Sequence, residues 1–322
     1  MEHTPWVIVL AAGNGSRLQE LTVGPDGTAV PKQFCSLSGG RSLLDDAIGR
    51  ARHLAPRRRI LVVVAEEHER WWRPQLGWID PSNVVVQPKN RGTVAGLLLP
   101  LAHICARDPR ARVVVMPSDH HVEEPEVLIS ALRQAWSDLG REPDRVVLLG
   151  IAPDAPETEY GWIVPGPGRG GVYDVAAFVE KPEHARAVAL MADGAVWNSF
   201  LLVAAAGKLW DLCQRFVPAT ADAIARAFAG PRTERTAALS ATYAELPATD
   251  FSRSVLGAAA ADLRLRLVPA CGWTDLGTPR RVAECVARLD RRSGIEPPRT
   301  LWFPTVDLSA SLRRRAATTR TA

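Results

Sequence analysis

The chain has 322 residues, 47% hydrophobic and 23% charged, a composition that excludes the collagenous, low-complexity and disordered classes and allows a core of full size. Its formal charge is +4, yet Arg313, Arg314, Arg315 and Arg320 fall in residues 309 to 322 with no acid beside them, so residues 1 to 308 balance 35 bases against 35 acids. A neutral body excludes the basic face expected of a nucleic-acid or membrane-surface protein.

The N-terminal MEHTP passes directly into an apolar run at 6 to 12 that is too short, and too uncharged at its head, for a signal peptide. No stretch reaches 18 uninterrupted apolar residues. Further runs of strand length fall at 59 to 65, 83 to 87, 112 to 117 and 145 to 151, and helices are predicted between them at 41 to 55, 66 to 76, 92 to 107 and 124 to 139. Continuous Val/Ile/Leu runs suit strands buried on both faces, and spacings of roughly 25 to 30 residues leave room for a crossover helix each time. The predicted fold class is therefore α/β, with a doubly wound, mainly parallel sheet that binds ligands at the carboxyl ends of its strands. After residue 151 a Pro/Gly-rich stretch (153 to 171) leads to short strands near 160 to 165, 172 to 181 and 196 to 204. Ala-rich helices from 205 to about 245, a strand at 263 to 269 and a helix at 278 to 291 follow. This second half reads as an α+β elaboration packed on the first, and 292 to 322 as a docking segment and Arg-rich tail. Five cysteines, an odd number with no CxxC pair, read as reduced thiols of a cytoplasmic protein.

The first strand ends in Ala11-Ala12-Gly13-Asn14-Gly15-Ser16-Arg17-Leu18, with Pro31-Lys32-Gln33-Phe34 after it. Small residues at a strand end let backbone N–H groups approach a phosphate, while Arg17 offers a forked donor and Lys32 a point charge. A triphosphate fits there; a plain tight turn is the alternative. The third glycine of a dinucleotide loop is missing, Leu18 standing in its place, and so is a Walker GK[ST]. Asp119 directly follows a buried strand, and Asp275 lies in the turn Trp273-Thr274-Asp275-Leu276-Gly277. A carboxylate facing a triphosphate is the expected Mg²⁺ ligand, because that ion is held by one or two carboxylates with phosphate oxygens and water. A turn cap at Asp119 and an Asx turn at Asp275 are the structural alternatives. His120 and His121 have no third ligand at metal-site spacing. Asn198 can offer both a donor and an acceptor to sugar hydroxyls, and Gly161 allows close backbone approach.

These segments are followed in order by Arg91-Gly92-Thr93, Pro117-Ser118-Asp119-His120, the stretch Pro156 to Ile163, Phe178-Val179-Glu180-Lys181-Pro182, Trp197-Asn198-Ser199 and the stretch Gly272 to Gly277. Over about residues 6 to 284 the set resembles the nucleotide-sugar pyrophosphorylases, most of all the bacterial mannose-1-phosphate guanylyltransferases. The resemblance implies a Rossmann-like nucleotidyltransferase fold over 1 to 291, with a nucleotide-binding half (1 to 151) and a sugar-phosphate half (152 to 291); the hexapeptide repeats or sugar-isomerase domain that often follow in the family do not fit in the roughly 30 residues beyond, so no C-terminal β-helix is expected. It implies an enzyme that joins GTP to mannose 1-phosphate and releases pyrophosphate, with Mg²⁺ as cofactor and no nucleic-acid or membrane partner; a homodimer is left open.

Of the implied catalytic residues, Arg17 serves the departing pyrophosphate, Lys32 the triphosphate and Lys181 the incoming phosphate, while Asp119 and Asp275 hold the metal. Implied nucleotide contacts fall on Ala11, Ala12, Gly13, Gly15, Ser16, Arg17, Lys32, Gln87, Gly92, Thr93 and Asp119, and implied sugar-phosphate contacts on Tyr160, Gly161, Glu180, Lys181 and Asn198. The chain departs from the family pattern where Gly92 replaces an asparagine, Glu159 replaces the glycine before Tyr160, and Phe200 replaces the glycine after Ser199. The stretch Thr249 to Leu256 replaces Ile-Asp-Tyr-Ala-Val-Met-Glu, so a family glutamate is missing and Asp250 carries no assigned role. The alternatives are another sugar-phosphate or cytidylyl-type nucleotidyltransferase, or a non-catalytic, pyrophosphorylase-like regulatory subunit.

Overall fold

The computed structural model describes residues 4 to 24, 27 to 293 and 307. The five apolar runs of the first half form β1 (Trp6–Ala11), β2 (Ile60–Ala65), β3 (Val84–Gln87), β4 (Arg112–Pro117) and β5 (Val146–Ile151). Between them lie α1 (Leu43–Arg52), α2 (Glu69–Leu76), α3 (Gly92–Cys105) and α4 (Pro125–Arg141). The second half supplies β6 (Gly161–Arg169), β7 (Val172–Glu180), α5 (His184–Ala192), β8 (Val196–Ala205), α6 (Ala206–Phe216), α7 (Pro218–Ala229) and α8 (Arg235–Glu245). The one-turn α9 (Phe251–Ser254), β9 (Leu263–Val268) and α10 (Pro279–Ser293) complete it.

Among the described residues the strands form one sheet in the order β3-β2-β1-β4-β8-β5-β9-β7-β6. Alternation along β1 sends Val7, Val9 and Ala11 into a core shared with α1, α2, α4 and α10, and Trp6 and Ile8 into a second core shared with α3, α6, α7 and α8. Both faces are therefore covered, which is why these strands read as unbroken apolar runs. The doubly wound α/β expectation holds, but strand direction departs from parallel. β1 pairs in parallel with β2 and β4, β2 with β3, and β5 with β9. β8 enters antiparallel between β4 and β5, and β6 and β7 are antiparallel neighbours. The second half thus completes the sheet of the first instead of lying on it as a separate layer. Composition could not announce this, because a Val/Leu-rich strand covered on both faces suits either ladder.

The Ala-rich helix α5 falls where only a connection was expected. Of the predicted docking segment and tail (292 to 322), only residues 292 and 293, in the last turn of α10, and Asp307, which bridges Ser36, are within the described residues. No described helix is long and apolar enough to cross a membrane.

Candidate active site

The carboxyl ends of β1, β3 and β4 open on one edge of the sheet. The turn before α10 is brought to the end of β4 by an antiparallel bridge, His121 N–H donating to Thr274 O (2.9 Å) and Thr274 N–H to His121 O (3.0 Å). After β1 the chain loops through Gly13 into a short turn over Ser16–Leu21. The Gln33 side-chain amide donates to the carbonyls of Ala11 (2.8 Å) and Gly13 (2.9 Å) and so fixes the loop from below. Gly15 has φ +61°, and a Cβ there would lie 3.1 Å from the Lys32 backbone nitrogen, so this closure on Lys32 requires glycine. A Cβ at Gly13 would meet nothing within 4 Å, leaving its backbone open to the cavity.

Lys32 is the hub. Its side chain is 7% exposed, with Nζ 2.9 Å from Asp119 Oδ2, and it donates to the carbonyls of Asp275 (2.5 Å) and Leu276 (3.5 Å). One ammonium thus joins the loop after β1, the end of β4 and the turn before α10. Burial alone would raise the Asp119 carboxyl, but the charge and hydrogen bond of Lys32, together with His120 and a backbone hydrogen bond, outweigh it and hold the group below the usual carboxylate range. His120, beside it, is pushed down to about 4, chiefly by burial, and stands neutral, with Nδ1 buried and unpartnered. Asp275 Oδ1 accepts from the Tyr160 hydroxyl (2.5 Å) and from Gly277 N–H (2.7 Å). Behind Tyr160, Arg281 from α10 sits 4.9 Å from the Trp197 ring and bonds both carboxylate oxygens of Asp154.

A cavity of about 520 Å³ opens here. Of the predicted residues it is lined by Ala12, Gly13, Arg17, Lys32, Gln87, Gly92, Thr93, Asp119 and Asp275. Ala11 does not line it: strand alternation turns its side chain into the core, and its carbonyl accepts from the Gln33 amide. Gly15 shapes the loop without lining the cavity. Ser16 opens the following turn, and its side chain lies outside what is described. Gly92 has φ +78°, and a Cβ would collide with the Thr249 backbone. The left-handed backbone alone would suit asparagine as well as glycine, so it is the approach of the Thr249 backbone that requires glycine here. The Thr93 hydroxyl accepts from Phe251 N–H (2.7 Å), while Arg91 is spent on the Tyr243 and Ala244 carbonyls that end α8.

The sugar-side residues form an adjoining cluster outside the cavity lining. A Cβ on Gly161 would lie 2.7 Å from Glu180 Oε2 and 3.4 Å from Asn198 Cβ. Burial, then the charge of Asp250, raises the Glu180 carboxyl to about 7. Asn198 Oδ1 already accepts from Phe200 N–H (3.1 Å), which leaves its amide donors for a ligand. Lys181 adopts φ 48°, with its N–H bonded to the Tyr160 carbonyl. Among the described residues the other non-glycine residues with positive φ are Phe200 (56°) and Leu276 (52°), both at this site. A left-handed non-glycine residue costs about 1 to 2 kcal/mol, and such strain concentrates at functional sites.

The Nucleotidyl transferase family profile matches residues 6–291. The chain belongs to the nucleotidyl transferase family. It is 31% identical over 279 residues to the xanthan biosynthesis protein XanB of Xanthomonas campestris pv. campestris (strain B100), covering 84% of this chain and 57% of that one. It is 32% identical over 220 residues to a mannose-1-phosphate guanylyltransferase of Escherichia coli, covering 66% of this chain and 45% of that one. The chain therefore spans about half the length of the curated relatives it matches. A crystal structure from Thermus thermophilus, described as a mannose-1-phosphate geranyltransferase, superposes with a TM-score of 0.75 at 31% identity, covering 88% of this chain and 79% of that one.

Within this nucleotidyl transferase, several site residues escape motif reading. Asn90 donates to Ala12 O (3.4 Å) and accepts from Gly92 N–H (3.0 Å), tying the loop after β3 to the loop after β1. Glu159 reaches both Arg17 (2.9 Å) and Lys181 (3.9 Å), so a phosphate approaching either cation must compete with it. Phe200 and Asp250 line the cavity. The only advance signal for Glu159 and Phe200 was that each breaks the family pattern.

The motif places Tyr160 on the sugar, and its hydroxyl donates to Asp275 Oδ1. With Asp275 as a Mg²⁺ ligand in a sugar-1-phosphate nucleotidyltransferase, Tyr160→Phe would lower turnover by about tenfold and raise the Mg²⁺ concentration needed for half-maximal rate, with the KM for sugar 1-phosphate unchanged. A raised KM for the sugar 1-phosphate at an unchanged Mg²⁺ requirement would return the hydroxyl to sugar binding.

Proposed function

We propose that this chain is a sugar-1-phosphate nucleotidyltransferase that joins GTP to mannose 1-phosphate, with Mg²⁺, giving GDP-mannose and pyrophosphate. The observation that carries the reading is the Lys32 hub, which gathers the Asp119 carboxylate and the Asp275 turn beside a glycine loop at one cavity. A sugar 1-phosphate has a second pKa near about 6 and is largely dianionic at pH 7, so it is a nucleophile that needs no general base. Its phosphate oxygen attacks the α-phosphorus in line, the bond to the α,β-bridging oxygen breaks, and pyrophosphate leaves with the electron pair. What remains for the protein is positioning and charge management, for which Arg17, Lys32 and Lys181 supply cations.

The donor set fits Mg²⁺. Among the described residues no three acid, histidine or cysteine side chains gather into a cage, and this ion needs only one or two carboxylates once phosphate oxygens and water complete its shell. Both hydrogen bonds on Asp275 fall on Oδ1, which leaves the geometry of Oδ2 free for a ligand. Bound to Asp119 and Asp275, the ion would neutralise phosphate charge. Relatives named as mannose-1-phosphate guanylyltransferases support the choice of substrates. The Gln87 side-chain oxygen, buried at the cavity wall without a partner among the described residues, is an acceptor suited to the N1–H and N2–H donors of guanine. All five cysteines are free thiols, which supports a reducing, cytoplasmic setting.

The test is a matrix of nucleoside triphosphates against sugar 1-phosphates with Mg²⁺, scored by pyrophosphate release. GTP with mannose 1-phosphate is the expected best pair. A different best pair would revise the substrates, and release from no pair would overturn the reaction.

A further inference from the structure

Phe200 holds a backbone conformation that suits glycine and puts a phenyl ring into the cavity. Along β8 the pairing with β5 jumps from Leu202 opposite Leu148 to Asn198 opposite Gly150, so that Ser199, Phe200 and Leu201 together face Leu149. This bulge is satisfied internally. Ser199 Oγ donates to Leu149 O (2.6 Å) and accepts from Leu201 N–H (3.2 Å), and Asn198 Oδ1 accepts from Phe200 N–H (3.1 Å). Bulges beside active sites re-aim side chains, and here the re-aimed residue is Phe200, at φ 56°. A glycine would meet the backbone requirement without strain. The ring is therefore not called for by the backbone conformation, although it packs on the core beside Phe251.

The ring lies where the cavity adjoins the sugar-side cluster. Its own N–H is held by Asn198, whose Cβ shares the crowded space around Gly161 with Glu180. Asp250, whose charge acts on Glu180, lines the same cavity as Phe200. The next residue, Phe251, braces the ring edge-on, with centroids 6.2 Å apart at 73°.

We propose that Phe200 is a specificity-determining residue, its ring forming the wall that admits unsubstituted hexose 1-phosphates and rejects those with a bulky N-acyl substituent. The inference rests on the proposed reaction and goes further by naming what limits the sugar. An apolar wall against a hexose face also offers contact to its C–H groups, so removing the ring lowers efficiency with the small substrate while admitting the large one.

The experiment compares wild type, Phe200→Gly and Phe200→Leu with mannose 1-phosphate and the 2-acetamido hexose 1-phosphates of gluco and manno configuration. Turnover is read by pyrophosphate release with GTP, binding of each sugar 1-phosphate and of GTP by calorimetry, and folding by Tm. The ratio of kcat/KM for acetamido over parent sugar should rise by at least about tenfold in Phe200→Gly and less in Phe200→Leu, with the Kd for GTP within about twofold of wild type. Should Phe200→Gly fail to fold, Phe200→Leu reads the same ratio with the side-chain packing largely kept. An unchanged ratio in folded variants overturns the proposal, as does a loss confined to GTP binding, which would put the ring on the nucleotide side. A wild type that is inactive with every pair would overturn the reaction instead, and the calorimetric ratio of the two sugar classes would still decide the role of the ring.

Discussion

Asp275→Asn should lower kcat for pyrophosphate release by on the order of 10² to 10³, the scale of losing one pre-aimed electrostatic stabiliser, while leaving Tm within a few degrees of wild type. Asparagine keeps the side-chain oxygen that accepts from the Tyr160 hydroxyl and from Gly277 N–H, so the turn before α10 retains its local bonds. What is removed is the charge and the second oxygen, Oδ2, which becomes an amide donor. Asp119→Asn should match it in activity but not in stability. The Lys32 ammonium would then keep the carbonyls of Asp275 and Leu276 and lose its one charged partner. Removing a charged acceptor from a buried donor costs about 1 to 3 kcal/mol, and because the Asp119 side chain is 37% exposed the low end applies. The paired measurement is kcat with a Mg²⁺ titration and Tm for both variants. Near wild-type turnover in both would remove the metal from these two residues, whatever happened to Tm.

Much of this arrangement was legible before any coordinates. Unbroken apolar runs at β1 to β5 need both faces covered, and that requirement alone led to a doubly wound sheet with its site at the strand ends. Gly13, Lys32, Asp119 and Asp275 belong to motifs whose chemistry is local: small residues where a phosphate must approach, a carboxylate just past a strand. What remained hidden depends on long-range pairing. The direction of β8 is decided by its partners β4 and β5, not by its own composition. Ala11 belongs to the same motif, yet period-two alternation along β1 turns its side chain into the core toward α1, so any contact it makes with a nucleotide is through its backbone. Tyr160 was placed on the sugar because its motif covers that loop, while the partner of its hydroxyl, Asp275, lies far along the chain. Glu159 and Phe200 act through where their side chains point, and no motif encodes that. In both cases a mismatch with the family pattern marked the position without stating its role.

Lys32→Met should lower kcat/KM for the nucleoside triphosphate by on the order of 10² or more and move the acid limb of the pH profile upward. Methionine fills similar space without a charge, so the turn through Pro31 and Phe34 keeps its packing while three acceptors lose their donor. In wild type, burial tends to raise the Asp119 carboxyl, and Lys32, by charge and hydrogen bond, is the main one of the contacts that together outweigh it. Once Lys32 is gone burial prevails, and the carboxyl should titrate above its usual range. An opposite charge in contact is worth about 1 to 3 pKa units, so the acid limb of kcat/KM, which reports the free enzyme, should rise by at least about one unit. Stability carries the same sign. A depressed carboxyl adds stability that is present above its unfolded pKa and lost as pH falls through the folded one, whereas a raised carboxyl subtracts stability at neutral pH and restores it on acidification. The Tm gap between wild type and Lys32→Met should therefore be widest near neutrality and shrink below about pH 4. An acid limb identical in the two proteins would mean that Lys32 does not hold Asp119 ionised, and the hub at the centre of the site would have to be redrawn around Arg17 and Lys181.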